Sequence, residues 1–319
     1  MFAAIAGCGR SPRSGSRGTK RQPPPFPYRY LVWFVHGVCG LALGVCLARA
    51  SLMAAAEPED LESLLKRFRD ELLPIVPGEE PYPAEFELGT EDGTPAEKPV
   101  FRVRLAPFAI ARYETPQNLY AAIMGHNPSR WQGRRNAVEN VTWQEARAFC
   151  ERLTHQLRAR QWLSEDEEIR LPSEAEWEYA CRAGTRTAYS FGDSPRLPAD
   201  PPGRYSLLDH YAWHTGNAAG NDPPVGALKP NPWGLYDMHG YVWEMTLDGW
   251  QSDHQQRLAD GRAQLPTTPQ QPITLRGGSW KDDARWLRSS ARRPFAQQAR
   301  DDGVGFRCVQ ARLTSKTAP

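Results

Sequence analysis

At 319 residues and a formal net charge of +2, the chain is long enough for one large domain or two small ones. Its 39 Lys and Arg are dispersed and matched by 37 Asp and Glu, which excludes the basic stripe a nucleic-acid partner needs. A hydrophobic share of 40% with 11 Trp supports a proper core, while 29 Pro and 26 Gly indicate a chain rich in loops.

Residues 1–29 are basic and rich in Pro, Gly and Ser, with no apolar period, so a disordered leader is expected there. Residues 30–56 follow with the apolar run "LVWFVHGVCGLALGVCLA", then Ala54 and Ala56 ahead of Glu57. Basic flank, apolar run and Ala-x-Ala are the parts of an export signal, with an uncleaved membrane anchor as the alternative. A periplasmic location is therefore expected. "IAGC", ending at Cys8, has no apolar stretch before it and is taken as chance. Export leaves Cys150, Cys181 and Cys308 in the mature chain, and an odd count in an oxidising compartment implies one bridge and one buried thiol.

Residues 57–85 form a unit of amphipathic helix and Pro-rich linker. Leu61, Leu64, Leu65, Phe68, Leu72 and Leu73 recur at helical spacing until Pro74 and Pro77 end the pattern. A domain is expected over 86–314. It opens on short strands carrying Val100, Val103 and Leu105, then Phe108 and Ile110. Three capped helices come next. Thr115 before Pro116 starts the first. Thr142 with Glu145, and Ser173 with Glu176, are capping boxes for the second and third, and Gly184 stops the third. Beyond Gly184 helical period is nearly absent, so aromatic side chains, a bridge or bound ions must hold a loop-dominated half together.

The phrases "VTWQEARAFC", "RLPSEAEWEYACRAG", "NPWGLYDMHGYVWEMTLDGW", "LRGGSW" and "GVGFRC" occur in this order from Val141 to Cys308. Together they resemble the formylglycine-generating-enzyme family, also called the sulfatase-modifying-factor family, over roughly residues 86–312. The resemblance implies an α+β, loop-rich, C-type-lectin-like fold. In generating enzymes the stretch after "GGS" carries two cysteines that bind copper and oxidise a substrate cysteine. Thiolates suit that work because they are nucleophilic and prefer soft copper(I). Here the stretch is "KDDARWLRSSARR", without sulfur, and no cysteine lies between Cys181 and Cys308. Neither copper chemistry nor formylglycine generation is expected.

The same resemblance implies a structural calcium site at Asp237, Gly240, Val242 and Glu244, the glycine and valine contributing carbonyls. The bland alternative is two carboxylates accepting N–H bonds in a turn. It also implies a Cys181–Cys308 disulfide, with Cys150 as a buried small hydrophobe. Ser279, Trp280, Asp282, Asp283, Trp286, Arg288 and Arg292 form either a relic pocket or a partner surface. Arg276, Arg288, Arg292 and Arg307 are expected to pair with Asp282, Asp283 and Asp302. His210, His214 and His239 are expected to be structural, and Trp143, Trp177, Trp233, Trp243, Trp280 and Trp286 to be core walls. For an exported member without the two cysteines, the resemblance implies the accessory branch of type VI secretion. Its partners would be a membrane Ser/Thr kinase ectodomain (PpkA-like) and an outer-membrane lipoprotein (TagQ-like). The alternative is a periplasmic oxidative enzyme of the siderophore-maturing (PvdO-like) branch.

Overall fold

A computed structural model describes residues 59–220 and 222–313. The leader and export segment expected at 1–29 and 30–56 lie outside the described residues, and among those described no helix is long and apolar enough to cross a membrane.

Helix α1 (Leu61–Asp70) starts where Asp60 accepts the Ser63 N–H at 2.8 Å, and it buries Leu64, Leu65 and Phe68. It ends at Asp70, earlier than the leucine spacing suggests. Leu72 and Leu73 belong instead to strand β1 (Leu72–Ile75), antiparallel to β4 (Phe108–Ala111) with Leu73 opposite Ile110. Residues 61–75 thus pack into the same body as the strands that follow. Strands β2 (Phe86–Leu88) and β3 (Phe101–Val103) make a separate ribbon. Helix α2 (Gln117–Met124) has Pro116 rather than Thr115 at its cap and closes on Gly125, whose φ of 84° suits a residue without Cβ. Helices α3 (Trp143–Arg158) and α4 (Glu174–Arg182) both have their expected capping boxes.

Strand β5 (Glu167–Arg170) lies between α3 and α4. Between α4 and β6 (Trp243–Gly249) the described chain has only a 3-10 turn at Leu208–His210 and irregular backbone. Strands β7 (Ile273–Arg276), β8 (Arg292–Phe295), β9 (Val304–Gly305) and β10 (Val309–Arg312) follow. One sheet has the order β1-β4-β10-β5, the other β8-β7-β6-β9, with β6 and β9 parallel. The fold is mixed α and β, with few helices and many loops.

Two apolar clusters lie on opposite faces of the first sheet. One joins α1 and α3 to Trp243, Met245, Leu275 and Phe306. The other packs Trp177, Ala180 and Cys181 of α4 against Ile75, Ile110 and Val309. This division corrects the expected disulfide. Cys181 belongs to the second cluster, its Sγ 3.5 Å from the Met238 carbonyl, while Cys308 belongs to the first, 3.7 Å from the Cys150 Sγ. All three thiols are free and buried. Burial pushes the Cys150 and Cys181 thiols up, Cys181 to about 12, which leaves them protonated and unreactive.

Every residue of α4 is buried, including Glu174, Glu176, Glu178 and Arg182. Glu174 and Glu178, one turn apart, point at the face of the second sheet where Arg276 of β7 sits opposite Arg292 of β8. Arg276 pairs with Glu178 and donates to the carbonyls of Ser289, Ser290 and Ala291 at 2.7–2.9 Å. Arg292 pairs with Glu174 at 2.6 Å, and Arg257 bridges Glu174 and Asp248. Arg288 binds Glu97 at 2.7 and 2.8 Å, and Arg307 binds Glu244 at 2.6 and 2.7 Å. The four arginines therefore do not pair with Asp282, Asp283 and Asp302. Asp282 is taken by Ser279 and Trp243, Asp283 by Arg285, and Asp302 by Lys281 and Arg130, whereas α4 brings its own carboxylates into the low-dielectric interior, where an unpaired guanidinium is most unfavourable.

Glu178→Ala leaves Arg276 and Arg182 buried without their shared carboxylate. A loss of about 3–5 kcal/mol is expected, measured by urea unfolding. A loss under about 1 kcal/mol would show that the network is not a structural keystone.

Candidate functional site: a closed turn with an exposed aromatic rim

Strand β7 leads into Gly277 and Gly278, with φ of 98° and 77°. A Cβ on Gly278 would lie 2.8 Å from both Leu287 and the Trp286 carbonyl, so only glycine lets the turn close on itself. The turn places Asp282 inward. Its Oδ2 accepts from the Ser279 N–H at 3.0 Å, the Ser279 hydroxyl at 2.5 Å and the Trp243 indole N–H at 2.8 Å. A carboxylate with three donors on one oxygen is held in place. Leu287, fully buried, fills the space beneath Gly278 and Gly240. A polar lock and an apolar plug thus close the turn.

The flanking residues are arranged around this lock. Trp280 donates to the Asp302 carbonyl at 3.1 Å, and Lys281 lies 5.3 Å over its ring while pairing with Asp301 and Asp302. Asp283 caps the 3-10 turn Ala284–Leu287 and pairs with Arg285 at 2.8 Å. Trp286 is 38% exposed and meets the buried Trp243 at 6.2 Å between ring centroids. Trp131, 44% exposed, is joined to the same rim because its neighbour Arg130 binds Asp302 at 2.8 Å.

Ser279, Trp280, Asp282, Asp283 and Trp286 are thus brought together, but two residues expected with them are not. Arg292 is buried against Glu174 inside the fold. Arg288 turns its guanidinium to Glu97 and, with Asp92, Gly93, Thr94, Arg285 and Trp286, borders an open cavity of about 470 Å³ on the Trp286 side of the rim. Of the tryptophans expected in the core, Trp143, Trp177, Trp233 and Trp243 are buried, whereas Trp286 belongs to the surface. Trp131, Glu97 and Arg293 went unnoticed in the sequence. Two tryptophans flanked by arginine, "SRW" and "ARW", were the available signal for the rim.

Around the calcium expectation, Asp237 is buried with φ of 58°, and its Oδ2 accepts from the Gly226 N–H at 2.7 Å while Oδ1 has no partner. Glu114, buried nearby, has no hydrogen-bond partner on either oxygen. Burial raises the carboxyl groups of both, Asp237 to about 6. Uncompensated hard oxygens suit a calcium ion. Glu244, however, is bound by Arg307 and by the Trp177 indole at 2.8 Å. Among the described residues no cluster of three or more His, Cys, Asp or Glu is set for metal binding, so carbonyls and water would have to supply most donors. His239 is held on both nitrogens, by the Leu287 carbonyl and Ser190, and His214 contacts Asp209 at 2.9 Å.

With this geometry in place, the chain can be assigned to a class. Residues 75–312 match the family described as the sulfatase-modifying factor enzyme 1-like domain, and the chain belongs to it. It is 34% identical over 155 residues to the formylglycine-generating enzyme of Mycobacterium tuberculosis, covering 44% of this chain and 50% of that one. It is 27% identical over 243 residues to chaperone protein LppX of Paenibacillus barcinonensis, covering 66% and 82%. To serine/threonine-protein kinase pkn1 of Chlamydia pneumoniae it is 28% identical over 257 residues, covering 71% and 36%. The chain thus spans half or less of the generating enzyme and the kinase it matches. Among solved structures, PvdO from Pseudomonas aeruginosa superposes with a TM-score of 0.62 at 27% identity, covering 76% of this chain and 94% of that one.

Glu97 supplies a pH test of the scaffold beneath the rim. Burial pushes its carboxyl up, but the Arg288 guanidinium and the Ser290 hydroxyl outweigh this and hold it at about 2, below its ordinary 4.5. The stabilisation is present above pH 4.5 and is lost as pH falls toward 2. Glu97→Gln is expected to lower neutral stability by roughly 2 kcal/mol and to flatten the acid dependence in that window. An unchanged acid profile would contradict the pairing.

Proposed function

We propose that the chain is a non-catalytic exported protein-binding domain, resembling TagR, that promotes activation of a membrane Ser/Thr kinase regulating type VI secretion. Its partners would be the ectodomain of that kinase (PpkA-like) and an outer-membrane lipoprotein (TagQ-like), met in the periplasm. The observation that carries this reading is Asp282. A carboxylate fixed by three donors stands in the turn where generating enzymes keep thiols, and hard oxygen does not replace soft sulfur toward copper(I). Two exposed tryptophans at its edge supply the kind of anchor that protein interfaces favour. Similarity to proteins named as a chaperone and as a serine/threonine kinase supports the reading.

A PvdO-like oxidative maturation enzyme is the second reading. The likeness to PvdO along nearly all of its length favours it, as does one acid. Glu139 is buried, accepts the Trp131 backbone N–H at 3.0 Å on Oε1 and leaves Oε2 unpartnered, and burial raises its carboxyl to about 7, within the range of a general base.

The proposal includes structural calcium held by Asp237 and the carbonyls of Gly240 and Val242, with Glu244 shared between the ion and Arg307. Bound calcium would tie down the loop before β6.

Affinity capture from periplasmic extract, with the domain as bait, is expected to recover the kinase ectodomain or the lipoprotein. Recovery of neither, with conversion of a pyoverdine precursor by the purified protein, would favour the second reading. Calcium at a hundredfold excess over Kd is expected to add about 2.7 kcal/mol of stability, removed by chelator and absent in Asp237→Ala. Identical thermal midpoints with calcium and with chelator would remove the ion from the account.

A further inference from the structure

Arginine is an interior residue in this fold, and its pairing is consistent. The five arginines buried among the described residues, Arg182, Arg257, Arg276, Arg292 and Arg307, each bind a carboxylate. Arg293 breaks the pattern. It is half-buried, and among the described residues no ion pair reaches it. Its one close contact is aromatic, with the guanidinium carbon 4.6 Å over the Trp243 ring.

The position follows from the sheet. Adjacent residues of a strand point to opposite faces, so Arg292 goes inward to Glu174 while Arg293, opposite Leu275, goes to the other face. There it meets Trp243, which also touches Trp286 and the Asp282 lock. Nearby acids do not satisfy it. Asp282 and Asp301 attract it only from beyond ion-pair distance, and burial lowers its pKa. Asp282 is fixed by Ser279 and Trp243, and Asp301 is engaged by Lys281 and the Gly303 N–H. The guanidinium lies over the ring with no anion bound, and the terminal N–H groups of an arginine can receive a carboxylate in a two-point fork.

We propose that Arg293 on Trp243 is the receptor for an Asp or Glu side chain of the partner protein, with Trp286 and Trp131 making the apolar contacts around it. The inference rests on the protein-binding reading above and specifies what the partner presents. Charge around the site selects the class of anion. Asp283, Asp301 and Asp302 surround the rim and are neutralised by Arg285, Lys281 and Arg130. Arg293 is left as the one unmatched cation of this rim among the described residues. A singly charged carboxylate in an apolar frame fits one free guanidinium, whereas a multiply charged phosphate would need further cations, and Arg285, Lys281 and Arg130 are already engaged by acids. Exposed Trp beside a partly desolvated Arg is also the composition of an interface anchor.

Binding by the full chain is measured for wild type, R293Q, R293K and W286A against two probes. One is the ectodomain of a PpkA-like kinase; the other is a capped peptide of alternating Glu and Leu, with inorganic phosphate as control. Wild type is expected to bind the peptide saturably, with affinity at least tenfold weaker in R293Q and W286A and partly retained in R293K. R293Q is expected to melt no lower than wild type, since it removes an unpaired charge; a structural role would lower the midpoint. Equal affinity in wild type and R293Q for either probe, or competition by phosphate as strong as by peptide, would overturn the carboxylate receptor. Arg293-dependent peptide binding with no ectodomain binding would keep the receptor and reject the kinase as partner.

Discussion

The arrangement of the molecule depends on one contact, that of Glu174 and Glu178 of α4 with Arg276 and Arg292 of the second sheet. Such a layer normally makes a poor core, since desolvating charges is costly and a hydrophobic replacement often does as well. Here it does something an apolar layer does not. Arg276 donates to three consecutive carbonyls, Ser289 to Ala291, and so fixes the path of the chain returning from the candidate site. The glycine pair leaves from the residue that makes these bonds. Directional bonds from a buried arginine position the turn more narrowly than packing alone, which accounts for an ordered surface on a domain so poor in regular structure.

The closed turn is consistent with recognition because its parts are saturated in a particular order. Inside, Asp282 and Leu287 fill the space where a reactive group would stand. At the rim, three acids are matched by three cations. What remains is two half-exposed tryptophans and, over the buried Trp243, a half-buried guanidinium with no anion. A catalytic pocket would be expected to show the reverse, with unsatisfied groups at the bottom and saturated ones at the mouth. Glu139, raised by burial and bound by the Trp131 backbone N–H, is the feature that keeps a chemical role in competition.

Local structure was legible from local signals. The capping boxes at Thr142 and Ser173 start α3 and α4 as expected, because a cap depends on residues within four positions. The motif order gave the fold. Pairing across long distances was not legible. Arg292 and Arg293 are neighbours of one type, yet the strand sends one to Glu174 and the other to an open rim. Three cysteines allow three pairings, and only the two faces of the first sheet separate Cys181 from Cys308. The end of α1 was missed because Leu72 and Leu73 fit a helix as well as an edge strand, and tertiary pairing with β4 decides.

The central claim is that this family member recognises a protein and does not oxidise one. Loading the purified domain with copper(I) and presenting a cysteine-containing peptide under oxygen tests it most directly, with mass spectrometry of the peptide as readout. The account predicts an unmodified thiol and copper removed by simple dialysis. Retained copper together with an aldehyde on the peptide would contradict it.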